Sequence, residues 1–266
     1  MAIIGADGPP ALLSPNPRWS RADVLRWLLR LAETRQDILI GFDLSMALPF
    51  VDQDAYFPEW DDSPDHAKAL WRAVDTMCVD DPHLNVTSFL AHHQASRHFR
   101  HGAGQIGDLF SGGIGRLREV ERYQRVTGQA NSASCFNLVG AAQVGKSSLT
   151  GMRLLHQLDG AIPVWPFDAV PDSGPAIVEI YTTVAALAAG QPKGRSKVRD
   201  RAGLKQALTR LNTPTPARLA RYDDHSTDAL ITAAWMKRVA GDLSLWTPLA
   251  MTEKIAQKEG WTFGVV

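Results

Sequence analysis

Two apolar runs along the chain carry the strand signal. Asp37-Ile-Leu-Ile-Gly-Phe-Asp43 is continuously apolar between two acids, and Ala176-Ile-Val-Glu-Ile-Tyr181 is interrupted only by Glu179. Runs without alternation predict strands covered on both faces of a sheet. Ser134-Cys-Phe-Asn-Leu-Val139 reads as a further strand, and residues 1–6 as a short one stopped by Gly8-Pro9-Pro10. Helical spacing takes over elsewhere. Val24, Leu25, Trp27, Leu28 and Leu31 predict a helix over 21–34 with Ser20 as its N-cap. Ala67, Leu70, Trp71 and Val74 predict one over 65–77, and further helices are expected at 147–158, 202–211 and 224–240. Strands alternating with helices predict an α/β fold with a mixed, largely parallel sheet.

The segments between differ in composition. Residues 51–65 are acidic and aromatic and read as a loop; 92–125 are rich in Arg and His, with a glycine patch at 112–115. A basic linker spans 191–201. The 28 Lys and Arg balance the 28 Asp and Glu, so bulk charge does not hold this chain to nucleic acid. Cys78 and Cys135 form no CxxC, which speaks against a disulfide framework or a zinc ribbon. No stretch approaches the ~18 apolar residues of a membrane span, and Met1–Asp7 lacks the basic start of a signal peptide. A soluble, cytoplasmic protein is expected.

Gly140-Ala-Ala-Gln-Val-Gly-Lys-Ser147 matches the phosphate-binding loop G-x-x-x-x-G-K-[ST]. There, backbone N–H groups would cradle phosphates, Lys146 would reach the β- and γ-phosphates, and Ser147 would hold magnesium. Against this, the later strand offers Glu179 instead of a terminal Asp, and the one strand ending in Asp, Ile38–Asp43, precedes the loop. The alternative is a strand–turn–helix corner in which Gly140 and Gly145 permit a tight turn.

Four acids form the second constellation. Asp43 ends a buried strand, and open α/β sheets place ligands at the carboxyl ends of their strands. Glu179 lies inside an apolar strand, where an unpaired carboxylate would be costly; a metal ion or a basic partner would explain it. Asp224 and Asp228 share one face at the start of the last helix. Each has a plainer role: Asp43 in a turn, Glu179 near an edge, Asp224 as an N-cap, Asp228 in the helix dipole. Taken together they would suit magnesium or manganese, and paired ions suit phosphodiester cleavage.

The runs IGFDLSMALPF, GRLREVE, FNLVGAAQVGKSSLTGMRLLHQL, VWPFD, VEIY, DDHSTDALITAAWM and EGWTFGV resemble a family of uncharacterised bacterial proteins predicted to be nucleases of the ribonuclease-H-like superfamily. The resemblance runs from about residue 38 to the C-terminus. It implies one ribonuclease-H-like domain over 1–266, with a helical and loop insertion at roughly 51–130. It also implies a metal site of Asp43, Glu179 and Asp228, with Asp224 beside them, and a Gly-rich turn at 140–147 that binds no nucleotide. One departure stands out. Such a domain opens with three antiparallel strands, the first bearing a metal-binding Asp, whereas Pro9, Pro10, Pro15 and Pro17 leave no room for two further strands beside residues 1–6 before the helix at 21. The N-terminal strands are expected to be reduced or missing, with Asp7 as the nearest substitute for the lost acid.

Two basic stretches complete the picture. Lys193–Arg201, and Arg97, Arg100, Arg116, Arg118, Arg122 and Arg125, would either follow a phosphate backbone or line solvated faces. His92, His93, His98 and His101 lack zincin spacing and read as surface or packing residues. The leading expectation is a metal-dependent nuclease. The alternatives are a nucleotide-binding protein using Gly140–Ser147, and a non-catalytic relative that binds a partner or nucleic acid.

Overall fold

The computed structural model describes residues 1–13, 19–102, 104–140, 143–194 and 197–266. Pro15 and Pro17 therefore lie outside the described residues. In chain order the elements are β1 (Ala2–Ile3), β2 (Ala11–Leu12), α1 (Arg21–Glu33), β3 (Ile38–Phe42), α2 (Ala67–Met77) and α3 (Thr87–Ala91). Then follow β4 (Arg100–Gly102), β5 (Gln105–Ile106), α4 (Glu119–Val126), α5 (Gly145–Gln157), β6 (Val164–Trp165) and β7 (Pro175–Glu179). The last are α6 (Thr182–Ala188), α7 (Arg201–Arg210), α8 (Asp224–Val239) and α9 (Glu253–Lys258). The fold is mixed α/β, with small sheets of which one is parallel and three-stranded. Among the described residues, no helix is long and apolar enough to cross a membrane.

The chain divides into two compact units. The larger comprises 20–179 and 249–262 and contains the parallel sheet, in the order β3-β7-β6. In this sheet β7 is the central strand, and β3 lies at the edge. In register, Phe42 faces Glu179, so both strands end together. The anticipated α1 forms with its cap, since Ser20 and Asp23 bond each other's backbone N–H in a capping box. Helices α2 and α5 pack together. Leu70, Trp71 and Val74 from α2 meet Leu149, Met152 and Leu155 from α5 in the same core as Ile40 and Ile177. That core buries the apolar stripe that the sequence placed on each helix.

The Ser134–Val139 run is not a strand. Asn137 makes one isolated bridge, to Arg100, and α5 begins at Gly145. Its apolar side chains are buried, but the backbone of 134–137 closes a turn, with Asn137 N–H on Ser134 O at 3.1 Å. Burial, not ladder pairing, produced the strand-like pattern.

The smaller unit comprises 1–19, 180–248 and 263–266. Its helix α8 packs on α6, α7 and the β1–β2 hairpin. Trp235, Trp246 and Phe263 form an aromatic group there, and Gly264, at φ +88°, sits so close to the Trp235 ring that a Cβ would collide with it.

Candidate functional site

Glu179 closes β7 at its carboxyl end, where the sequence pattern placed it two residues inside the strand, and it is only 4% exposed. Its compensating partner is Arg118, which is 1% exposed. The guanidinium meets the carboxylate as a fork, Nη2 to Oε1 at 2.6 Å and Nη1 to Oε2 at 2.8 Å. Thr262 Oγ1 adds a bond to Oε1 at 2.7 Å and Met46 N–H one to Oε2 at 2.9 Å. A carboxylate offers about four lone-pair directions, and all four are taken. Of the two explanations open for a buried acid in this strand, the basic partner is the one present.

Arg118 is shared. Its Nε and Nη2 also bond Glu121 Oε1, at 2.8 and 2.6 Å, and its Nη1 bonds Glu259 O at 2.9 Å. Burial alone would lower the Arg118 pKa; Glu121 and Glu179 outweigh it and hold the guanidinium charged. Glu121 has its pKa raised, burial being the largest cause, with Arg118 pulling the other way. Fully buried Glu259 accepts N–H groups from Phe50 at 2.6 Å, Val51 at 2.7 Å and Glu119 at 2.6 Å, yet burial raises its pKa too. The cluster thus ties together the segment after β3, the start of α4, the end of β7 and the segment after α9. Nearby, Arg116 pairs with Asp52 and donates to the carbonyls of Pro49, Ala55 and Tyr56.

The arginines of 97–125 therefore do not form one surface. Arg116 and Arg118 are interior ion-pair residues, on neither a phosphate track nor a solvated face. Arg97 pairs with Asp108 and Glu59. The sequence reading missed Arg118, Glu121 and Glu259 as a set. The available signal was the i,i+3 pair in GRLREVE, one helical turn apart at the start of α4.

Asp43 follows β3 at the same sheet end as Glu179, but it is exposed. The residue facing Glu179 in register is Phe42, one position earlier. The next stretch, Met46–Phe50, is buried against this end of the sheet, so the chain itself occupies ground where open α/β sheets often hold ligands.

Asp224 and Asp228 belong to the smaller unit. The N-cap of α8 is Asp223, which accepts from Ser226 N–H at 2.9 Å; Asp224 is the first helical residue instead. Asp224 pairs with Arg199 at 2.9 Å, an interaction that, through the side-chain hydrogen bond first, lowers its pKa. Asp228 pairs with Lys197. Two cations of the 193–201 tract are thereby matched to two of the predicted metal ligands; Arg195 of that tract lies outside the described residues. Asp7 is exposed in the same unit. Among the described residues, no group of three or more His, Cys, Asp or Glu gathers as a metal ligand set.

Ala141 and Ala142 of the loop match lie outside the described residues. Around them, Gly140 adopts φ +85°, as a tight turn requires. Gly145 N–H donates to Asn137 O at 3.2 Å, and Ser147 Oγ donates to Val144 O at 2.8 Å. A phosphate cradle needs such N–H groups turned toward the ligand. A Cβ on Gly145 would collide with the Cys135 carbonyl, so this glycine is explained by close backbone approach. The corner reading fits except for its strand.

The histidines are packing and surface residues. His98 is buried between Phe57 and Phe136, and its pKa is lowered to about 4, by burial first and then by Arg116 and Arg97. His92 stacks on Trp60 and His93 is exposed. Both cysteines are buried and free; burial pushes the Cys135 thiol up to about 12. No family model, no curated protein and no solved structure matches this chain.

Proposed function

We propose that this protein acts by binding a partner and not by two-metal phosphodiester hydrolysis, as a non-catalytic relative of the ribonuclease-H-like α/β proteins. The observation that carries this reading is the saturation of Glu179. A metal at Glu179 would have to displace a buried guanidinium from a two-bond fork and would set further positive charge beside Arg118 where water is excluded. Glu179 therefore does not fit the metal site that the resemblance implies. Net charge zero and the pairing of Lys197 and Arg199 with Asp228 and Asp224 favour a partner other than nucleic acid. The test is calorimetric titration with Mg2+ and Mn2+, alongside cleavage assays on single- and double-stranded DNA and RNA. The expected result is no cleavage, and no ion binding that changes on Glu179→Gln substitution. Manganese-dependent cleavage abolished by Asp43→Asn or Asp228→Asn would overturn the proposal.

A second reading, the metal-dependent nuclease, keeps one specific support. Asp224 and Asp228 pair with cations that water reaches, Arg199 being 71% and Lys197 47% exposed at their side chains. Exposed pairs contribute about 0–1 kcal/mol, so magnesium or manganese could replace those partners cheaply.

A further inference from the structure

A groove of about 350 Å³ opens in the larger unit between the first turns of α2, the end of α5 and the segment leading through β6. That volume is at the lower end of the range for small-molecule sites. None of Arg118, Glu121, Glu179 or Glu259 lines it.

The lining sets two cations, Lys68 and Arg72, and two imidazoles, His66 and His156, against two acids, Asp159 and Asp168. Lys68 and Arg72 are four residues apart on α2, on one face, an arrangement that disfavours the helix through like-charge repulsion. Lys68 is compensated by Asp168. Asp168 is itself fixed, since its second oxygen accepts Val164 N–H at 3.1 Å. Arg72 lines the groove, is exposed, and has no hydrogen bond or ion pair among the described residues, so its five N–H donors are open to a ligand. His66 Nδ1 accepts Ala69 N–H at 2.9 Å, so the neutral ring carries its proton on Nε2, which lies 3.9 Å from the Asp65 carboxylate. His156 lines the opposite wall from α5. Trp71 and Leu155 supply an apolar floor, and Asp159 brings a negative charge to the rim.

We propose that this groove binds a small organic phosphate. The phosphate would sit on Arg72, with Lys68, His66 and His156 as further donors, and the carbon skeleton would lie along the Trp71–Leu155 floor. A guanidinium beside imidazole and ammonium donors suits the several acceptor oxygens of a phosphate better than the two of a carboxylate.

Isothermal titration of the full chain with glycerol 3-phosphate and with inorganic phosphate at low salt tests this. Glycerol 3-phosphate is expected to bind more tightly than inorganic phosphate. Arg72→Ala is expected to weaken binding by about tenfold or more, and Arg72→Lys to restore part of it. Asp159→Asn is expected to tighten it by removing a repelling charge. The unfolding midpoint of Arg72→Ala should match the parent protein, because the side chain is exposed and holds nothing. Absence of heat from either ligand at tens of millimolar would overturn the proposal. So would binding unchanged in Arg72→Ala, or equal affinity for the two phosphates.

Discussion

Glu179 in the larger unit and Asp228 in the smaller one are both acids with a cationic partner, and they differ in what surrounds the pair. Around Glu179 the protein excludes water, and Arg118 is locked by five hydrogen bonds to Glu121, Glu179 and the Glu259 carbonyl. Around Asp228 the partner is a half-exposed lysine on a loop. In the interior, removing one member strands a charge that cannot recruit solvent. At the surface, water and salt replace the partner with little loss. The same residue types thus make a permanent strut in one place and an exchangeable contact in the other. This difference divides the predicted metal ligands: Glu179 is locked into its ion pair, while Asp224 and Asp228 can exchange partners.

The sharpest way to break the comparison is to remove the interior cation. Arg118→Met is expected to destabilise the larger unit by about 3–5 kcal/mol, read as a lowered urea midpoint. Replacing Arg118, Glu121 and Glu179 together by Met, Leu and Met should recover a large part of that loss, because the two carboxylates that pair with Arg118 leave together with it. A triple variant no more stable than Arg118→Met would show that the cluster acts through shape and not charge.

A smaller effect comes from His98, whose folded pKa of about 4 lies below the unfolded value of about 6.5. The fold favours the neutral ring, so this contribution is complete above about pH 6.5 and is lost as pH falls toward 4. The loss is at most about 1.4 kcal/mol per pH unit within that window. His98→Phe should flatten the stability profile between those limits, measured as the difference from the parent protein. Identical slopes would remove His98 as the cause.

The smallest effect is expected at the surface. Lys197→Ala and Arg199→Ala should each change stability by about 0–1 kcal/mol, and by less in high salt. If either costs as much as Arg118→Met, Asp224 and Asp228 are held as tightly as Glu179, and the nuclease reading loses its remaining support.

The helices were legible because each needs only local information: apolar spacing, a cap and a stop. Ser20 and the stripe of α1, or Asp200 capping α7 through Gly203 N–H, depend on neighbours three or four residues away. Strands β3 and β7 were legible because five-residue apolar runs leave few other choices. The Ser134–Val139 turn was not, since a buried turn and a buried strand share the same apolar composition, and only backbone pairing separates them.

By itself the sequence determined the α/β class, the positions of the main helices and the presence of an acid in a buried apolar strand. The tertiary structure alone decided what that acid does. The partner of Glu179 lies 61 positions away at Arg118, and its other donors come from Met46 and Thr262. No local spacing encodes such a meeting. A carboxylate that needs compensation in a dry interior takes whichever cation the fold delivers, and here the fold delivers an arginine.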